Sequence, residues 1–168
     1  MAKAKRVYRR RYTKKNKYNI ETNPGIIPTA SWYSPATDEA FNFSYNETVV
    51  PSSEVEGVRK VKNLTISVAY ASSSTQRPIF WALVYVPEGT VPNYLNSVGD
   101  LYQPSQWVLA SGILNTIEGK SRIYTPLSKN LNKGDKIVLC LGTEGSSTTT
   151  PSAPYDISYL VRYAICFN

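Results

Sequence analysis

The densest chemistry in the sequence is electrostatic. Lys3, Lys5, Arg6, Arg9, Arg10, Arg11, Lys14, Lys15 and Lys17 put nine of the chain's 19 basic side chains into its first eighteen residues, where none of its 12 acids falls. The formal net charge of +7 therefore divides into +9 on this segment and −2 on residues 19–168, which carry ten basic and twelve acidic groups. Val7 is nearly the only aliphatic side chain among these charges. The segment has no apolar face to bury and reads as a disordered arm. Cations at this density suit a polyanion, because they displace counterions condensed on phosphates and gain free energy without reading base sequence. Tyr8, Tyr12 and Tyr18 stand between the charges, and aromatic rings on a flexible basic segment stack on unpaired bases at about 1–3 kcal/mol per base. The candidate nucleic-acid-binding residues are thus the nine cations together with Tyr8 and Tyr12. The same charge density also reads as a nuclear import signal or a solubilising tail, and an import signal can bind nucleic acid as well.

Other chemistries lack their groups. Histidine is absent, which removes Ser-His-Asp and Cys-His catalysis and histidine-ligated metal sites. Cys140 and Cys166 lie in apolar, strand-like runs and read as small buried hydrophobes, with pairing between them left open. The acids are scattered, with no close set beyond Asp38-Glu39 and the separated Glu54 and Glu56. Neither an enzyme nor a cofactor or metal site is expected. No apolar run approaches the ~20 residues that cross a bilayer, and charge stands where a secretory signal has its hydrophobic core. A cytosolic or nuclear protein with no membrane partner is expected.

Behind the arm, the chain reads as short apolar runs punctuated by turn residues. The division expected is residues 1–22 as arm and linker and residues 23–168 as one β domain; Asn19 to Pro28, with its Pro24-Gly25 turn signal, reads as a linker leading into the body. Thr29 to Tyr33 is a first, weakly marked strand. Phe41, Phe43, Tyr45 and Val49 alternate with polar residues, as do Leu64, Ile66, Val68 and Tyr70, the period of half-buried strands. Ile79 to Val86 and Lys136 to Leu141 are apolar on both faces, so they belong at a sheet centre or beneath a cover. Trp107 to Leu114 and Arg122 to Leu127 are further strands. Tyr155 to Phe167 is the longest, with Tyr155, Ile157, Tyr159, Val161, Tyr163, Ile165 and Phe167 on one face. Thr90 to Gln106, with a short helical turn around Asn93 to Val98, and Gly142 to Pro154 read as long loops. Trp32, Trp81 and Trp107 read as core. Eight strands and no long helix imply an all-β sandwich, and the long connections favour an eight-stranded antiparallel jelly roll over an immunoglobulin-like sandwich or an oligonucleotide-binding barrel.

Particular residues carry a resemblance. Val84-Tyr85-Val86-Pro87-Glu88-Gly89-Thr90, then Pro92 and Leu95, then Leu101-Tyr102-Gln103-Pro104-Ser105-Gln106-Trp107-Val108 with Gly112, resembles the central segment of capsid proteins of small circular Rep-encoding single-stranded DNA viruses, the circovirus-like group. Leu131-Asn132-Lys133-Gly134-Asp135 looks like the turn before a late strand in those proteins. The resemblance implies a single jelly roll, an icosahedral shell of about sixty copies, and an interior-facing arm that binds the genome. About sixty arms of nine charges would bring about 540 positive charges, matching a few hundred phosphates.

The expected function is thus that of a viral coat protein in the virion, assembled in the host nucleus if the host is eukaryotic. Its expected partners are a single-stranded DNA genome, with RNA as the alternative, other copies of the chain, and a host import receptor. A satellite-type RNA virus coat protein, a monomeric basic-armed β module that binds nucleic acid, and a jelly-roll lectin or hydrolase are the rival readings.

Overall fold

The computed structural model of the protein describes residues 18–32, 43–72, 77–91, 107–143 and 155–167. They form eight strands: β1 Asn19–Ile27, β2 Phe43–Val50, β3 Arg59–Ser72, β4 Ile79–Val86, β5 Trp107–Leu114, β6 Lys120–Leu131, β7 Lys136–Thr143 and β8 Tyr155–Phe167. Two four-stranded antiparallel sheets result, one in the order β1-β8-β3-β6 and the other β2-β7-β4-β5. The pairs β1/β8, β2/β7, β3/β6 and β4/β5 nest inside one another like the rungs of one long hairpin. Rolling that hairpin sends alternate pairs to opposite sheets, which is the jelly roll the strand count implied.

The strands differ from the sequence expectation at the start. Thr29 to Trp32, the described part of the strand expected at Thr29 to Tyr33, is not a strand: Thr29–Ser31 is a single 3₁₀ turn, held by Asp156, which accepts from the Thr29 backbone N–H at 2.7 Å and its hydroxyl at 3.2 Å. The first strand is instead Asn19–Ile27, where a linker was expected, so pairing with β8 begins at Asn19 and runs across the boundary drawn at residue 22. Pro24-Gly25 does not break it because β1 is an edge strand, where a missing N–H can face away from the ladder. Gly25 is required by a neighbour. A Cβ there would stand 2.1 Å from the ring of Tyr159, its partner on β8.

β3 begins at Arg59 rather than Leu64, and a bulge explains why alternation did not show it. The register slips between Lys62 and Leu64, at Asn63, whose φ of 54° lies in the left-handed region that Asn tolerates better than most residues. The extra residue resets parity. Val61, Leu64, Ile66 and Val68 are thereby all buried. β6 is likewise longer than expected, running through Pro126, which an edge strand accommodates beside the same bulge. β7 takes in Gly142 and Thr143 from the expected loop. Phe41, the rest of that loop and the helical turn expected at Asn93 to Val98 lie outside the described residues.

The core lies between the sheets. Ile27, Ile66, Leu131, Ile157 and Val161 on one side meet Val50, Ile79, Leu83, Leu139 and Leu141 on the other, each contributing about 1.5–3 kcal/mol on full burial. Trp32 is buried and Trp81 packs partly buried against this core; the Trp107 side chain lies outside the described part. β4 and β7, the runs apolar on both faces, are the two central strands of their sheet. Its outer face is buried as well, at Ala82, Val84, Val86, Val138 and Cys140. Cys140 and Cys166 are both buried and free, on different sheets, and burial pushes the Cys140 thiol up to about 12.

Candidate nucleic-acid interface

The arm residues singled out in the sequence, Lys3 to Lys17, lie outside the described residues. The structure does give their point of attachment. Tyr18 precedes β1, and the Nζ of Lys62 on β3 sits 3.6 Å from the centre of its ring, a cation–π contact worth about 0.5–1 kcal/mol at an exposed site. Lys62 projects from the outer face of the β1-β8-β3-β6 sheet. The arm therefore joins the body on that face.

At one end of the sandwich the two motifs that carry the family resemblance meet. Asp135 closes the Leu131–Asp135 turn and is 4% exposed. Its Oδ2 accepts from the Tyr85 hydroxyl and the Asn132 N–H, both at 2.7 Å, and its Oδ1 from the Glu88 N–H at 3.3 Å. Burial, then the hydrogen bond and charge of Asp135, push the Tyr85 phenol up to about 12. Gly134 is needed twice over: its φ is +77°, and a Cβ would stand 2.5 Å from the Glu88 side chain. Arg59, also buried, donates at 3.0 Å to the carbonyls of Pro51 and Asp135, and the Gly134 N–H donates to Ser53. Three connections are thus tied to one carboxylate and one guanidinium. The described residues of these motifs tie the connections together as a scaffold.

The opposite end is tied by Tyr155, whose hydroxyl donates to the Arg77 carbonyl at 2.7 Å and accepts from the Arg77 N–H. Thr116 donates to the same carbonyl at 2.9 Å. Between the sheets, Glu47 accepts from the Tyr45 hydroxyl at 2.9 Å and from the Tyr159 hydroxyl at 2.6 Å. Burial first, and then Glu47, push Tyr45 up to about 12 and raise Tyr159 in the same way. Unfolded tyrosine titrates near 10, so the stability stored in these protonated phenols is complete below pH ~10 and is lost as pH rises towards about 12. Circular dichroism across that window should show Glu47→Gln losing stability with pH less steeply than the parent chain. Equal slopes would mean that the carboxylate does not hold the phenols protonated.

The body's ten basic and twelve acidic groups nearly cancel in number, which hides their placement from a count. Cations and acids are sorted in space. Lys60 and Lys62, Lys120 and Arg122 recur two residues apart, and Arg162 alternates with the apolar face of β8, so the signal was a period-2 pattern in charge. Comparison of the chain with protein-family models and with curated proteins found no match.

Proposed function

We infer that this chain is a coat protein that assembles into a closed shell and packages a single-stranded DNA genome through its arm. The observation that carries the reading is the joining of a segment with nine cations and no acid to a jelly roll of strand order β1-β8-β3-β6 and β2-β7-β4-β5. The arm supplies a sequence-blind grip on phosphate, and the sandwich supplies a rigid tile. Exposed apolar side chains support lateral contacts between tiles: Ile113 is 63% and Ile117 70% exposed, on and just beyond the edge strand β5. Side chains of that kind are enriched where proteins meet.

Sedimentation of the full chain, with the ultraviolet absorbance of each fraction, tests the reading. A fast, homogeneous species absorbing as a nucleoprotein is expected, and its digestion by DNase but not RNase identifies the cargo. A slow species near the 18.8 kDa of one chain overturns the shell and leaves a monomeric binding module; sensitivity to RNase alone gives the RNA coat protein.

A further inference from the structure

We propose that the outer face of the β1-β8-β3-β6 sheet is a second single-stranded DNA site, a rigid platform on the body on the face where Tyr18 is seated. This rests on the DNA-packaging reading above and adds to it a body surface that holds the strand by stacking as well as by charge.

The register lays the face out as a grid. One row reads Tyr124, Thr65, Arg162, Thr22 across four adjacent strands; the next reads Arg122, Ser67, Leu160, Pro24; the next Lys120, Ala69, Ser158, Ile26. On the other side of Tyr124, beyond the bulge, comes Ser128, Lys62, Ala164, Ile20, and then Asn130, Lys60, Cys166. Five cations thus share one face, in a band about 30 Å long at about 3.4 Å per residue. Among the described strands, register puts one carboxylate on this face, Asp156, at the end of the band beyond the Lys120 row, with its Oδ1 accepting from Thr29. Glu118 stands at the margin, in the turn before β6.

Tyr124 stands on the edge strand β6, in the row between those of Lys62 and Arg122. It is 56% exposed, with Arg122 about 7 Å along its own strand and Arg162 about 10 Å away across two strand spacings. It lines a shallow depression of about 450 Å³, and a second of about 630 Å³ adjoins that one, sharing Ser67, Arg122 and Leu160 with it. An aromatic ring on a flat sheet, lining one depression with the guanidinium groups of Arg122 and Arg162 and the apolar surfaces of Leu160 and Ile20, fits a splayed strand: bases stack and phosphates meet the cations. Charge complementarity selects a polyanion. Tyr18, the residue that follows the basic segment, is set on this face by Lys62. A duplex, an acidic peptide or an anionic membrane has the charge but no unpaired base for Tyr124.

The test is titration of the full chain with a fluorescent oligothymidylate of about 20 nucleotides over a range of salt. In the Lys62→Ser/Arg122→Ser/Arg162→Ser variant the log–log salt slope should shrink by about 2, at about 0.7 per cation for a single strand. Tyr124→Ala should weaken binding about 5- to 150-fold with the slope unchanged, while Tyr124→Phe stays close to the parent chain. A duplex of equal length should not distinguish Tyr124→Ala from the parent. If the triple variant melts at a lower temperature than the parent chain, the Ala and Phe variants of Tyr124 carry the test by themselves. Parental affinity and slope in all variants would overturn the site; so would an equal loss for duplex and single strand in Tyr124→Ala, or unchanged oligothymidylate binding alongside lost capture by phosphatidylserine vesicles. Sedimentation of the same samples separates this site from the shell. A monomer that loses affinity in these variants keeps the site and overturns the shell, and a shell indifferent to them does the reverse.

Discussion

Asp135→Ala is expected to lower the unfolding free energy by about 3–5 kcal/mol, the largest loss predicted for any single side chain of the body. The carboxylate accepts from Tyr85, Glu88 and Asn132 at a site almost closed to water. Alanine leaves all three donors without that acceptor and opens a space beside Arg59, whose guanidinium reaches the Asp135 carbonyl. In a body of about 150 residues each kcal/mol moves the melting temperature by about 2–4 °C, so a drop of about 6–20 °C is expected. Tyr85→Phe removes one of the three bonds and should lose about 1.5–3 kcal/mol, since the bond is to a charged group. A double-mutant cycle between the two positions gives the coupling directly. An Asp135→Ala chain that melts with its parent would show that the turn is held by its backbone alone, through Gly134 and Ser53.

Deleting residues 1–17 is expected to remove most of the affinity for nucleic acid while leaving the body folded. The deletion takes away nine cations, so the log–log salt slope for a single strand should fall by about 6. Contacts in that number are worth about 10³–10⁵ in affinity between 50 and 200 mM salt. The body should keep its melting temperature, because β1 starts at Asn19 and its ladder to β8 is untouched. Particles, if they form, should hold far less nucleic acid than those of the full chain. The outer-face platform would then appear by itself as a residual slope of about 3.5, from five cations at about 0.7 each. A truncated protein that packaged as much DNA as the full chain would overturn the division of labour between arm and body.

Fold class and most of the strands were legible in the sequence. Both are written locally: alternation in Phe43 to Val50 and Tyr155 to Phe167, and double-sided apolar runs in β4 and β7. What it missed depends on neighbours in space. Asn19–Ile27 looked like a linker because Pro24-Gly25 is a turn signal on its own, and only a place at the sheet edge, with Tyr159 lying over Gly25, makes it strand. The start of β3 was hidden because a single αL residue, Asn63, inverts the parity on which alternation is judged. The Leu131–Asp135 motif was legible as a turn, but its use as the acceptor for Tyr85 and Glu88 exists only once β4 and β7 pair. The body's charge was counted correctly as near neutral, and a count has no direction. Pairing β3 with both β6 and β8 gathers Lys60, Lys62, Lys120, Arg122 and Arg162 on one face with Tyr124, because strands far apart in sequence become neighbours about 4.8 Å apart in a sheet.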